Sequence, residues 1–465
     1  MSINPSSPTL YLKSRKKYIT SNGSSLTRVK PIQDTLSKIL PLCKKIGVTR
    51  ISDITFMDRL YMPNYVAILP GTEDSIWVYG GKGSTKLAAK ASALMEAIER
   101  YSSLHSSYPR SLIQGTYIEL SKSYNKVLHP AEVVESVNPT YENNTIMDFL
   151  CGFDLLTNEE VLVPAEIALY KYSPKCPAIS AFSHSHTNGL ASGNVLEEAI
   201  CHALCEIIER DALSLADLCS SSIPYNILEN IIDSLKQEDN CGYPICSFPD
   251  QKFIDDSSIF PDVDISEIIK EFDLLNDIVK RFADAGVPLL IKDITQKDIG
   301  IPTFVASSLE WITSDYGYFA KGSGTHPDAR IALIRAITEV SQTRAVNIQG
   351  ARDDLKKIQY KENDEIYKRK WQFMPASSSL SQQKNKNVKF SEIKTYYNED
   401  VLEDINRILY GFKTAGLTRT IIVDLTNPDL RIPVVRAIVP GLETFEVTKS
   451  IMGTRAKKYF KQIMT

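Results

Sequence analysis

Glu198, His202, Glu206 and Glu209 follow one another at spacings of four, four and three, the intervals that align side chains on one face of an α-helix. Leu196, Ala199, Ala203, Leu204 and Ile207 fall on the other side, as about 3.6 residues per turn requires. Three carboxylates on one stripe repel each other by roughly a few tenths of a kcal/mol per pair, and no lysine dilutes them. Two readings compete: an acidic face turned to water, or a site for a hard divalent cation such as Mg2+, which takes oxygen ligands and neutralises clustered carboxylates.

Repetition favours the cation. Ala203 to Arg210 (ALCEIIER) has a near-copy in Ala93 to Arg100 (ALMEAIER), and a weaker third copy begins at Ala332 (ALIRAITE) and runs on through Glu339 to Gln342 and Arg344. On the first helix Leu87, Ala91, Leu94, Ile98 and Tyr101 form an apolar stripe, with Ser92, Glu96 and Glu99 opposite. Arg100 and Arg210 read either as phosphate contacts or as partners of the neighbouring carboxylates. A glycine-rich stretch precedes each helix: Gly80 to Ser84, Asn188 to Gly193, and Lys321 to Gly324. Backbone N–H groups in such loops, together with a helix N-terminus, favour anions. Three of them, each feeding a carboxylate helix, point to a polyphosphate bridged by Mg2+. No GxxxxGK[ST] run is present, so the chemistry is not that of a P-loop enzyme. His184 and His186 in SHSHTNG are read as incidental loop histidines.

Helices over about 85–104, 195–216 and 328–347, the second capped by Asn194, must carry these residues. Between them recurs a hairpin signature of Asp, an aliphatic residue, Thr and a later Pro: Asp53 to Pro63, Asp154 to Pro164, Asp293 to Pro302 and Asp424 to Pro433. Each Pro is placed at the start of the second strand. The predicted order is hairpin, helix, hairpin, helix, hairpin, helix, hairpin. Further helices are expected at about 31–46, ending at Gly47, and near 264–285 and 399–414, leading through Gly286 and Gly416 into hairpins. The fold class is α/β (α+β), built from internally repeated hairpin-plus-helix units with sheet packed against the functional helices. Residues 1–27 read as a flexible lead-in and 28–465 as one catalytic domain, with polar insertions near 220–262 and 355–397; Ser377 to Asn387 reads as a mobile surface tract.

The 465 residues are 43% hydrophobic and 23% charged with a net charge of −3, globular values that favour neither nucleic-acid nor membrane binding. No run approaches the roughly 18 apolar residues of a membrane span, and the N-terminus lacks an apolar signal region; a cytoplasmic protein is expected. The eight cysteines include no CxxC pair, and Cys201 and Cys205 are expected to be buried as small hydrophobes.

Ser92-xxx-Glu96-xx-Glu99-Arg100, the NGLASGN loop with Glu198 and Glu206-xx-Glu209-Arg210, and Glu339-xx-Gln342-x-Arg344 resemble the ATP-binding motifs of YcaO-domain proteins. The resemblance runs from about Lys30 to Glu443. It implies a YcaO-type fold, ATP and Mg2+ as cofactors, a homodimer, and activation of a peptide backbone amide by O-phosphorylation. Carried over by position, it makes Glu96, Glu99, Glu206 and Glu209 the metal ligands, with Glu198 in the same cluster. It turns Ser92, Arg210 and Arg344 towards phosphate and makes Lys30 and Ser37 nucleotide contacts. A family serine falls on Ala191, with Ser192 beside it. No catalytic base is implied.

Family members differ in the nucleophile. Azoline formers use a Cys, Ser or Thr of the substrate and end in a PxPxP tail, whereas this sequence ends AKKYFKQIMT. GVTRISDITFMDRLYMP resembles the branch linked to TfuA-like proteins, including archaeal members that thioamidate a glycine of methyl-coenzyme M reductase. The resemblance therefore implies thioamide formation from external sulfide on a peptide or protein substrate, with a TfuA-like sulfur-delivery partner. The alternatives are azoline cyclodehydration, a non-catalytic nucleotide-binding accessory subunit, and a role in ribosomal-protein methylthiolation.

Overall fold

The computed structural model describes residues 10–19, 27–71, 77–134, 140–174, 181–182, 186–220, 260–313, 316–349, 387–444 and 452–464. The strands, in chain order, are β1 (Arg50–Asp53), β2 (Asn64–Ile68), β3 (Val78–Lys82), β4 (Ile113–Thr116), β5 (Ile146–Asp154), β6 (Glu159–Pro164) and β7 (Leu190–Ser192). They continue as β8 (Asp262–Asp264), β9 (Leu290–Asp293), β10 (Thr303–Thr313), β11 (Tyr316–Thr325), β12 (Asn387–Lys389), β13 (Ile421–Asp424) and β14 (Val434–Ile438). The longer helices are α1 (Ile32–Ile46), α2 (Lys86–Ser103), α3 (Tyr117–Ser123), α4 (Leu196–Ser220), α5 (Asp273–Asp284), α6 (Ala329–Gln349), α7 (Val401–Thr414) and α8 (Thr454–Met464).

The Asp-x-Thr-to-Pro signature is a turn with its own chemistry. Asp53, Asp293 and Asp424 each accept, through Oδ1, the N–H of the threonine two residues on, at 3.0, 2.9 and 2.8 Å. The Thr55, Thr295 and Thr426 hydroxyls then accept the N–H of the first residue after the proline, at 3.3, 3.0 and 3.2 Å. The aliphatic residue between them, Ile54, Ile294 or Leu425, is buried. Two residues before each proline the backbone turns left-handed, at Tyr61, Gly300 and Arg431 with φ of 48°, 67° and 53°. Side-chain oxygens thus satisfy turn N–H groups that the ladder cannot reach, and the returning strand is placed in register. The second hairpin is a different object. Asp154 caps Leu156 in the same way, but its return strand β6 starts at Glu159 and Pro164 ends it.

Three sheets, rather than one, carry these hairpins, in the orders β1-β2-β3, β11-β10-β9-β8-β12 and β4-β5-β13-β14-β7, with β6 on β5. In each, a hairpin takes a third antiparallel strand that leads into an acidic helix. Asn64 faces Lys82, Thr303 faces Thr325, and Val434 faces Ser192, the first residue after the proline in every case. Fourteen residues beyond Lys82, Ser192 and Thr325 stand Glu96, Glu206 and Glu339. The hairpins and acidic helices follow one another along the chain as expected; their pairing in space and the alignment of the third copy differ. The partner of α4 is the C-terminal hairpin β13–β14, not the hairpin that precedes it in sequence. The third helix copy is offset by one turn, so Glu339 is equivalent to Glu96, and Gln342 to Glu99.

Glycine permits the tight strand-on-helix contact that sets this register. A Cβ at Gly81 would lie 2.1 Å from the Ala93 nitrogen and 2.2 Å from the Ala89 oxygen. One at Gly324 would lie 2.0 Å from the Ala332 oxygen and 2.6 Å from the Ala336 nitrogen. Each third strand also lies along the helix of another unit: β3 along α6, β7 along α2 and β11 along α4. The three units therefore close head to tail around their helices.

Helices α1, α5 and α7 form as expected, with left-handed Gly47, Gly286 and Gly416 following them. The lead-in is not wholly flexible. Within residues 10–19, Arg15 pairs with Glu197 at 3.0 Å, and Lys17 is buried against Asp404 at 2.6 Å. At the other end, Arg455 of α8 makes two bonds to Asp211 at 3.1 and 3.0 Å, directly after Arg210 on α4. Most of both expected insertions, including Ser377 to Gln383 and on to Lys386, lies outside the described residues; Asn387 opens β12, which pairs parallel with β8. No helix of the described residues is long and apolar enough to cross a membrane.

Candidate functional site

The head-to-tail closure brings the carboxylates of α2, α4 and α6 into one electrostatic cluster. Where β7 meets α2, Ser192 Oγ donates to Glu99 at 3.2 Å. Where β11 meets α4, Ser323 Oγ donates to Glu209 at 2.9 Å. Where β3 meets α6, Lys82 Nζ pairs with Glu339 at 2.5 Å, and Gly80 leaves room for the Gln342 amide. The helix positions contacted by Ser192 and Ser323, Glu99 and Glu209, are equivalent in the repeat; in the third unit that position is Gln342. The third unit thus lacks the second carboxylate, and its first carboxylate is paired with a lysine of the first unit.

Burial raises the Glu99 carboxyl to about 8, against the pull of Arg100 and with the help of Glu96 and Glu206. Burial likewise raises Glu206, with Arg210 and Arg100 opposing, and Glu209, with Glu339 adding to the rise. At Glu339 burial also pushes upward, but Lys82, Arg210 and Arg335 outweigh it and the shift is downward. Arg100 bonds Glu96 at 3.3 Å and stacks over the Tyr170 ring. Burial first, and then Arg335, Arg28 and Lys82, hold His202 far below the ordinary imidazole range, so it sits neutral among the acids.

This donor set fits a hard divalent cation. Glu209 Oε2 is buried and has no hydrogen-bond partner among the described residues. Glu99, Glu206 and Glu209 repel one another's negative charge in a dehydrated space, the condition that bound Mg2+ relieves. Glu96, Glu99, Glu206 and Glu209 are the residues that would hold it, with Glu339 beside them already bound by Lys82.

The other predicted site residues separate into groups. Glu198 does not join the carboxylate cluster: Oε1 accepts the Val29 N–H at 2.5 Å and Oε2 the Asn194 N–H at 2.8 Å. It ties the approach to α1 onto the start of α4, where Thr35 also donates to Asn194 at 2.8 Å. Asn194 is therefore a donor to Glu198 rather than a helix cap, and α4 starts at Leu196. Lys30 and Ser37 are exposed at this same end, with the Ser37 hydroxyl bonded back to the Gln33 carbonyl. Ser92 is exposed one turn before Glu96, and Arg210 is exposed while interacting with Glu206, Glu209 and Glu339. Arg344 departs most from expectation. It is 2% exposed, and both its Asp58 bonds, at 2.8 and 2.9 Å, and its 2.5 Å pairing with Glu310 turn it towards the first hairpin turn.

Leu87 is 44% exposed, so the apolar stripe of α2 begins at Ala91. Cys201 and Cys205 are buried and reduced. Ala191 is core, and Ser192 is the serine that reaches the cluster. His184 lies outside the described residues. Lys82, Ser323, Arg335 and Arg436 belong to the site without having been singled out in the sequence. For Lys82 the signal was present, as the one cation in the Gly80 to Ser84 loop.

A family model described as YcaO cyclodehydratase, ATP- and Mg2+-binding, matches residues 80–244 and 254–443. An uncharacterized protein of Methanothermobacter thermautotrophicus is 31% identical over 430 residues, 91% of this chain and 97% of that protein. An uncharacterized protein in the tfuA 3' region of Rhizobium leguminosarum bv. trifolii is 30% identical over 425 residues, 89% of this chain and 88% of that protein. Among solved structures, YcaO from Methanopyrus kandleri bound with AMPPCP and Mg2+ superposes with a TM-score of 0.64 at 20% identity, over 94% of this chain and 98% of that one. A heterocyclase in complex with substrate and cofactor gives a TM-score of 0.68 at 22% identity over 94% of this chain. The chain spans about half, 54%, of that heterocyclase. These two likenesses establish the fold.

Proposed function

The chain belongs to the YcaO family, and from that membership we propose that it is a peptide-modifying enzyme that phosphorylates a backbone amide oxygen and replaces it with sulfur from external sulfide. ATP and Mg2+ are its cofactors. The observation that carries the reading is the meeting of Glu96, Glu99, Glu206 and Glu209 from two helices with Glu339 from a third, in a buried cluster rimmed by Lys82, Arg100, Arg210 and Arg335.

An amide resists substitution because its oxygen is a poor leaving group. Mg2+-bound ATP supplies the phosphoryl group that turns that oxygen into phosphate. The reaction balances as amide, hydrosulfide and ATP giving thioamide, ADP and hydrogen phosphate: the amide oxygen leaves on phosphorus, and the hydrosulfide proton ends on phosphate. The residues have little covalent work in such a transfer; they position groups and neutralise charge. Glu96, Glu99, Glu206 and Glu209 would hold the metal, and Lys82 and Arg210 would face the charge. Glu198 fixes the α1 approach bearing Lys30 and Ser37 at the start of α4, where these two residues would contact the nucleotide. The relative in the tfuA 3' region supports the sulfur branch and a TfuA-like partner. A homodimer and a cytoplasmic location belong to the same proposal.

The test is a reconstitution with candidate peptide, ATP, Mg2+, sulfide and a TfuA-like protein, read by phosphate release and intact mass. Thioamide formation replaces oxygen by sulfur, about 16 Da heavier. Loss of one water from the peptide would show cyclodehydration instead. Nucleotide binding without either mass change, across substrates carrying the target amide, would show an accessory subunit.

A further inference from the structure

The threefold repeat is apolar at two of its junctions and polar at the third. The third residue after each hairpin proline is Val66 in β2, Val305 in β10 and Arg436 in β14. Val66 is buried with Ala345 of α6, and Val305 with Ala212 of α4. The position of α2 equivalent to Ala345 and Ala212, six residues beyond the first glutamate, is Ser102. Its hydroxyl is buried with no hydrogen-bond partner among the described residues. A guanidinium and a serine thus replace two apolar side chains where the units carrying Glu96 and Glu206 meet.

Arg436 is 2% exposed and its orientation is fixed. Nη1 donates to the His186 carbonyl at 3.0 Å, and Nη2 lies 3.1 Å from His186 Nδ1. The same Nδ1 accepts the Asn188 N–H at 3.1 Å. Facing two N–H donors, Nδ1 is the unprotonated ring nitrogen, so the lone pair of His186 sets the angle of the guanidinium. Arg436 lies close enough to Glu206 to favour its ionised form, after Arg210 and Arg100. Glu206 is eight residues beyond Glu198, about 12 Å along α4, and so at the far end from Lys30 and Ser37.

We propose, building on the function above, that Arg436 binds the phosphoryl group in transit and not the resting nucleotide, and that His186 is a positioning residue for it. In that step the bond from the terminal phosphorus to its bridging oxygen breaks, the electron pair stays with ADP, and the amide oxygen forms the new bond to phosphorus. Arg436 meets the charge on the equatorial oxygens as a guanidinium that His186 holds in one orientation.

The probe is MgADP with orthovanadate, which adopts the geometry of a phosphoryl group in transit. Calorimetry gives the MgADP Kd and the further tightening by vanadate. In Arg436→Gln the MgADP Kd should stay within about twofold, while the vanadate effect falls by about 100-fold. Arg436→Lys should fall by an intermediate factor, because it keeps the charge without the fork. His186→Ala should lose about tenfold of the vanadate effect, and His186→Asn, whose oxygen can replace Nδ1, should recover most of it. Parallel loss of MgADP and vanadate binding would make Arg436 a nucleotide or folding residue and overturn the inference. Vanadate tightening that is absent from wild type, or unchanged in both Arg436 variants, would overturn it while leaving ATP dependence intact. Failure of wild type to bind MgADP would remove both.

Discussion

Replacing Glu99 by Gln should make the metal-free protein more stable at alkaline pH. Burial, followed by the charges of Glu96 and Glu206, takes this carboxyl from 4.5 to about 8. The unfolded chain ionises it near the lower value and the folded, metal-free protein near the upper, so between the two the folded state holds the extra proton. Its contribution to stability is complete below 4.5 and is lost as pH rises through 8. At about 1.4 kcal/mol per unit, the whole interval is worth about 5 kcal/mol. In EDTA, the wild-type melting temperature should fall from about pH 5.5 to about pH 8.5 more steeply than that of Glu99→Gln, and the variant should be the more stable at the upper end. Mg2+ should reverse the order by neutralising the ionised carboxylate. At pH 7 its binding should expel roughly 0.9 proton from Glu99, measurable by calorimetry in two buffers of different ionisation enthalpy. Equal pH slopes for the two proteins in EDTA, or the same proton release from both, would refute the argument.

Three further outcomes follow from the geometry. Glu206→Gln should abolish phosphate release while thermal melting and circular dichroism stay native, because the amide keeps the shape and removes the ligand charge; full activity would move the reading from enzyme to scaffold. Gly81→Ala should cost about 3 kcal/mol or more in denaturant unfolding, since its Cβ would lie 2.1 Å from the Ala93 nitrogen; a neutral effect would disprove the tight strand-on-helix contact. Arg344→Ala should cost about 3–5 kcal/mol by leaving Asp58 buried with an unpaired charge, and adding Asp58→Asn should recover part of it. A single variant with native stability and weakened nucleotide binding would instead return Arg344 to the phosphates.

The hairpins were legible because their turn chemistry is local: Asp, Thr and Pro each act within about ten residues of chain. The acidic helices were legible from periodicity for the same reason. What was not legible is non-local. Nothing in the local pattern says that α4 takes its sheet partner from Val434 and Val435, more than two hundred residues downstream. The register of α6 was misread because Ala332 and Ala336 are one turn apart, so its motif matches almost equally well after a slip of four residues. Only the packing of Gly324 on both alanines fixes it. Glu198 was expected in the cluster of metal ligands because it shares a stripe with Glu206, yet two turns of helix carry it to the Val29 and Asn194 amides. Arg436 gave no sign within a strand that reads VVRAI. Its meaning appears only beside Val66 and Val305.

The most direct test is to crystallise the protein with AMPPCP and Mn2+ and to locate the manganese by anomalous scattering. Manganese should be coordinated by carboxylate oxygens from the set Glu96, Glu99, Glu206 and Glu209 and bridge to the nucleotide phosphates. Manganese and phosphates bound elsewhere, with these four side chains still hydrogen-bonded only to protein, would contradict it.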